Sequence, residues 1–164
     1  MKNTDELDQE AIETVRKLIK GIDIAMLTSV TKQGLVSRPM KTQEVEFDGD
    51  LWFLTMKDTN VHDELVNYPN VNVSYAGKSY VSIRGKAELV NSRDKIKEFW
   101  NIAYEKMLNT TSDDPNLILI KVTADTAEYW DLGNWTKVVK QLINKLTGKK
   151  SEESDMNQVV DLSN

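Results

Sequence analysis

The chain has 164 residues, 26 of them acidic and 21 basic, with a net charge of −5; the length suits one domain, and the acidic balance argues against general nucleic-acid binding, which needs a basic surface to displace counterions. It contains no cysteine, so disulfides, thiolate metal sites and cysteine nucleophiles are excluded and a cytoplasmic home is expected. At 40% hydrophobic and 29% charged residues the composition is globular, and no apolar run approaches the roughly 20 residues needed to cross a bilayer.

Residues 5–20 read as an amphipathic helix, with Leu7, Ala11, Val15, Leu18 and Ile19 at helical spacing and Gly21 after the last turn. This segment lacks the apolar core of a secretion signal. Ile24 to Val30 is a short apolar strand ended by the turn Lys32-Gln33-Gly34. Leu35 to Phe47 reads as a long strand that Pro39 confines to an edge or a bulge. Asp48-Gly49 then predicts a hairpin whose returning strand is Leu51 to Thr55. A short helix over 60–68 is capped by Thr59 or Asn60 and stopped by Pro69.

Two further strands, Val71 to Ala76 and Ser79 to Val90, flank Gly77-Lys78. Ser92 caps a longer helix with an apolar face of Ile96, Phe99, Trp100, Ala103 and Met107. Asp113-Asp114-Pro115-Asn116 breaks the chain before the last long strand, Leu117 to Trp130. A final amphipathic helix is expected over about 136–147, stopped by Gly148. Its basic residues Lys137, Lys140 and Lys145, with Lys149 and Lys150 beyond, would suit an anionic membrane. Packing on the domain with the lysines in water is the favoured reading, so membrane contact is not expected. Residues 1–150 form the expected domain and 151–164 a polar, mobile tail. Strands joined mainly by turns, with helices inserted, predict a mostly β antiparallel barrel.

The chemistry is bounded first by what is missing. His62 is the sole histidine and sits beside Asp63 and Glu64 on a short helix, so neither a catalytic triad nor a histidine metal site is expected. No glycine-rich phosphate loop is present. One stretch fits a phosphate: Leu51 to Thr55 runs through Lys57 into the helix starting near Asn60, whose first N–H groups attract an anion. Arg38, on the strand across the expected hairpin, could chelate the same phosphate. The plainer reading is that these cations are solvated. Trp52 and Trp100 suit core packing, whereas Trp130, beside Asp131, suits a cleft or an interface.

Several segments, taken in order, resemble the flavin-binding split-barrel family related to pyridoxamine-phosphate oxidase, in particular its general stress protein 26-like subgroup. They are Met26 to Val30 with Gly34, Ser37-Arg38-Pro39-Met40 with Gln43, and Asp48 to Thr55. Val71 to Tyr75, Tyr80 to Glu88 and Ala127 to Asp131 follow. The resemblance implies a six-stranded antiparallel split β-barrel. Helices stand at its N-terminus, between strands and at its C-terminus. It also implies a homodimer with two equivalent flavin sites, FMN or possibly FAD, at the subunit interface. By that pattern Arg38, Pro39 and Met40 line the cofactor, Leu54 and Thr55 lie on the next strand, and Lys57 and Val61 stand at the phosphate. Ser82 faces the ring, and Trp130 comes from the partner.

Val61 replaces a lysine frequent in the family, the loop between Tyr75 and Tyr80 is short, and Met107 to Thr111 replaces an aromatic-proline-glycine stretch, so weak flavin affinity is expected. The arginine-and-histidine substrate motif of the oxidase itself is missing, because the sole histidine is His62. Pyridoxamine-phosphate oxidation is therefore not expected. The expected function is a flavin-dependent oxidoreductase or flavin-binding stress protein acting on an unidentified small redox substrate, and the alternative is a flavin-binding or redox-sensing module without turnover. No side chain stands out as a catalytic acid or base.

Overall fold

The structure, a computed structural model, describes residues 4–43, 46–130 and 157–162. Helix α1 (Thr4–Ile19) leads into strands β1 (Ile24–Thr31), β2 (Gly34–Lys41) and β3 (Asp50–Met56). Helix α2 (Asn60–Asn67) precedes β4 (Asn70–Ala76) and β5 (Tyr80–Val90). Helices α3 (Arg93–Phe99) and α4 (Ile102–Leu108), β6 (Leu117–Trp130) and β7 (Asn157–Asp161) complete the described elements.

All seven strands belong to one antiparallel sheet in the order β2-β1-β4-β5-β6-β3, with β7 also on β6. The six-stranded expectation is thus corrected by one strand, and among the described residues no ladder joins β2 to β3 to close a barrel. The fourteen-residue β6 carries β3 along Leu117–Thr123 and β7 along Thr126–Trp130. Strand β7 lies in the stretch expected to be a polar tail. Val160 packs on the core and Leu162 is buried, while Val159 and Asp161 are exposed, a period-two pattern in a surrounding polar run. The expected helix over 136–147 lies outside the described residues.

The Asp48-Gly49 turn forms, with Gly49 at φ 112° and the Asp50 N–H bonded to the Asp48 carboxylate. It does not make a hairpin, however. Strand β2 ends at Lys41 and pairs with β1, and β3 pairs with β6. Arg38 and Thr55 therefore stand on the two ends of the strand order, not on neighbouring strands. Pro39 lies on edge strand β2, where its missing N–H costs no ladder bond. The single long helix expected after Ser92 is two helices. Asn101 interrupts it by accepting the Ala103 and Tyr104 N–H groups at its side chain, an N-cap that competes with helix continuation. In consequence Ala103 and Met107 are exposed, and Tyr104 is the buried residue of α4.

One core lies against the inner face of the sheet, where Leu27, Val73, Ile83 and Val122 are fully buried under Val15 of α1 and Leu65 of α2. A second, formed by Leu54, Ile96, Phe99, Tyr104 and Leu119, lies beneath α3 and α4. Gly85 sits at a β-bulge where a Cβ would meet the Thr123 carbonyl oxygen at 2.2 Å, so no side chain fits.

Candidate functional site

Alternation places odd-numbered residues of β1, β4 and β5 inside and even-numbered ones outside. The register then lines up Pro39, Met26, Ser74, Ser82 and Glu128 in one row across the outer face. Tyr80 and Trp130 are directly opposed one step further along β5 and β6. A groove forms there, lined by Ile24, Met26, Ser74, Tyr80, Ser82 and Trp130 among others. Large apolar side chains are left open on it. Ile24 is 50%, Met26 40% and Tyr80 48% exposed, a clustering that on soluble proteins marks an interaction surface.

The polar floor of this groove is ordered. The Asn72 amide donates to Ser82 Oγ at 2.7 Å, and Ser74 Oγ donates to Asn72 Oδ1 at 2.8 Å. Ser82 thus accepts from below and keeps its own proton for a ligand. Trp130, assigned by resemblance to the partner's side of the site, lines the same chain's groove as Ser82. The lining of this groove includes no charged residue.

Arg38 points inward from β2 and is held by two partners. Its guanidinium donates to Ser29 Oγ at 3.0 Å and to Glu64 Oε2 on α2 at 2.5 Å. Ser29, fully buried, also donates to Glu64 at 3.1 Å. The Arg38 and Glu64 side chains are only 16% and 19% exposed, so this charge-assisted pair fixes α2 to the sheet.

At the other end of α2, the N-cap Thr59 turns its hydroxyl back to the Met56 carbonyl at 2.7 Å and makes no cap bond. The His62 N–H donates to the Thr59 carbonyl at 3.2 Å, which leaves the Asn60 and Val61 N–H groups open to an anion. Thr55 lies beside this point, its hydroxyl 3.5 Å from that of Thr59. The Lys57 N–H donates to Asn116, and its ammonium makes no ion pair with a described residue.

The sequence-predicted residues accordingly fall into separate groups. Pro39, Ser82 and Trp130 share the outer face, and Arg38, Thr55, Lys57 and Val61 surround α2. Met40 and Leu54 are buried in the inner and second cores, on opposite sides of the sheet. Sequence reasoning missed Ser29, Glu64, Asn72 and Ser74. Glu64 lies 26 residues from Arg38, and nothing local in the sequence announces that pairing. Among the described residues no helix is long and apolar enough to cross a membrane, and no cluster of three potential metal ligands occurs.

Comparison with known proteins gives a consistent picture. The chain is similar to general stress protein 26 of Bacillus subtilis (strain 168), 29% identical over 94 residues, which span 54% of this chain and 66% of that relative. The fold superposes on general stress protein 26 from Bacillus anthracis str. Sterne with a TM-score of 0.65 at 26% identity, covering 72% of this chain and 92% of that one. It superposes likewise on the general stress FMN/FAD binding protein from Xanthomonas citri, with a TM-score of 0.63 at 26% identity, covering 74% and 89%. The family model described as pyridoxamine 5'-phosphate oxidase like matches residues 10–152, so the chain belongs to that family.

Proposed function

We propose that this chain binds a flavin nucleotide, FMN in preference to FAD, in a site completed by a second copy of itself, and works as a flavin-dependent oxidoreductase. The observation that carries the reading is the outer groove. It offers an indole, a phenol and a serine proton along an exposed apolar sheet face, as a flat heteroaromatic ring requires. A second copy against the same face would cover Ile24, Met26 and Tyr80 by twofold symmetry. The phosphate would be held by the Asn60 and Val61 N–H groups at the start of α2 with Thr55 and Lys57. Arg38, occupied by Glu64, acts as a positioning residue that keeps α2 in place. Pro39 lines the ring's surroundings on the outer face. Residues 1–150 act as one domain, in the cytoplasm, with β7 added to its sheet edge.

A bound flavin supplies hydride exchange, and the protein supplies position, hydrogen bonds and exclusion of water. The groove lining holds no carboxylate, histidine or lysine to serve as acid or base. That absence favours a second reading, a flavin-binding module without turnover. Titration with FMN and FAD, followed by flavin fluorescence, tests the binding; saturable quenching that Ser82→Trp abolishes is expected, and quenching indifferent to Ser82→Trp refutes the site. Flavin-dependent oxidation of a nicotinamide donor then selects the oxidoreductase, and its absence in the flavin-loaded protein selects the module.

A further inference from the structure

A cavity of ≈ 410 Å³ lies on the other side of β4 from the outer groove, between the C-terminal end of α1 and the start of β3. Its size is that of a small-molecule site. Phe47, Phe53 and Tyr75 line it together with Ile19 and Ile22, while the Trp52 ring turns to the second core against Phe99. Three aromatic residues around one hollow offer a flat, polarisable surface that suits a ring better than a flexible chain.

Tyr75, whose residue also borders the outer groove across β4, brings a phenol to this lining. Tyr75 is only 4% exposed, and its hydroxyl makes no hydrogen bond with a described residue. No fully buried side-chain nitrogen or oxygen among the described residues lacks a partner, so this hydroxyl keeps access to open space and is free to donate there. Burial pushes the Tyr75 phenol well above its ordinary pKa, so the group stays a neutral donor at physiological pH.

The charges around the cavity oppose one another. Arg16, Lys17 and Lys20 stand with Asp23, Glu46 and Asp50. Several are already engaged: Arg16 with the Phe47 carbonyl at 2.8 Å and Glu46 at 4.0 Å, Lys17 with Glu13 at 3.8 Å, and Asp50 with Lys121 at 3.6 Å. A charged ligand would lose its hydration here without finding a net field to replace it.

We infer that this cavity is a second ligand site, separate from the outer groove, for a small uncharged planar aromatic compound whose carbonyl oxygen accepts a hydrogen bond from Tyr75. Its occupant fills the aromatic hollow and accepts the Tyr75 proton. The inference does not rest on flavin binding.

Calorimetric titration of the full chain with coumarin, a neutral two-ring carbonyl compound, tests it, with coumarin-3-carboxylate as the charged counterpart. Saturable binding at one coumarin per chain is expected, with weaker binding of the carboxylate. Tyr75→Phe is expected to weaken coumarin about 2- to 10-fold, the worth of one hydrogen bond, without lowering the melting temperature, since the lost hydroxyl had no partner. Ile19→Trp, which fills the hollow, is expected to abolish binding; should that variant not fold, Tyr75→Phe decides alone. Absence of saturable coumarin binding, tighter binding of the carboxylate, or unchanged affinity in Tyr75→Phe would each overturn the inference.

Discussion

Replacing Glu64 by glutamine removes the anionic partner of Arg38 while keeping the size and hydrogen-bonding capacity of the side chain. Both side chains are more than four-fifths buried, so the guanidinium left behind keeps Ser29 but loses its counter-charge. Breaking a fully buried pair costs about 3–5 kcal/mol. The partial exposure and the remaining serine contact reduce this to about 2–3 kcal/mol, a fall of about 4–12 °C in Tm for a chain of this size. Arg38→Met should cost a similar amount, because it strands Glu64 with Ser29 alone. The double variant removes both charges at once and should cost clearly less than the sum, with a coupling energy of about 1.5–3 kcal/mol. Urea unfolding of the four proteins at low and high salt measures the cycle. The coupling should survive high salt, since screening acts weakly on buried pairs. A coupling below about 0.5 kcal/mol would refute the latch between β2 and α2. The same set separates two roles for Arg38 toward a flavin phosphate. If Arg38 holds α2, both single variants weaken FMN by comparable factors. If it grips the phosphate directly, Glu64→Gln frees it and binding is retained or tightened.

Gly85→Ala forces a Cβ to within 2.2 Å of the Thr123 carbonyl oxygen and should destabilise by about 3 kcal/mol; thermal melting checks this, and an unchanged Tm would mean the bulge relaxes freely. Asn101→Ala removes the side-chain acceptor of two N–H groups of α4 and should cost about 1 kcal/mol, read from the urea midpoint. Burial pushes Tyr104 up to about 12, partly offset by its bond from Gln43. A phenol whose folded value lies above its unfolded value contributes stability in full below about pH 10, lost as pH rises toward 12. The urea midpoint should therefore fall through that window, less steeply in Tyr104→Phe. The Asp114 carboxyl is held below its usual range mainly by the Thr110 hydroxyl. Its contribution is present above the ordinary aspartate range and lost as pH drops through the folded value, so Thr110→Val should flatten the acid limb.

Much of the fold is legible in the sequence because local patterns and tertiary packing agree. Alternation in Val71–Ala76 and Tyr80–Val90 gives both the strands and their buried faces, and Pro39 marks an edge strand that β2 proves to be. Pairing is less legible. The Asp48-Gly49 signal is purely local, and it reports a turn without reporting that β3 seeks β6. The break at Trp100 is masked by continuous apolar spacing, since periodicity does not register that Asn101 offers the backbone an alternative bond. Strand β7 escapes notice because two valines and a leucine in a polar run carry weak signal until β6 provides an edge. At the site, Ser82 and Trp130 line one groove on the outer face, a neighbourhood set by the register of β5 on β6 that residue type alone does not give. Arg38 demonstrates the limit: its chemistry suits a phosphate, but the fold supplies Glu64 first.

The central claim joins two things, a flat ring in the outer groove and a second copy closing over it. Sedimentation velocity with detection at the flavin's visible absorbance, across a dilution series of FMN-loaded protein, tests both together. Colour travelling with a two-chain species, at one flavin per chain, and released as that species dissociates is the predicted result. Stoichiometric colour on single chains, or a stable dimer that excludes flavin at saturation, would contradict it.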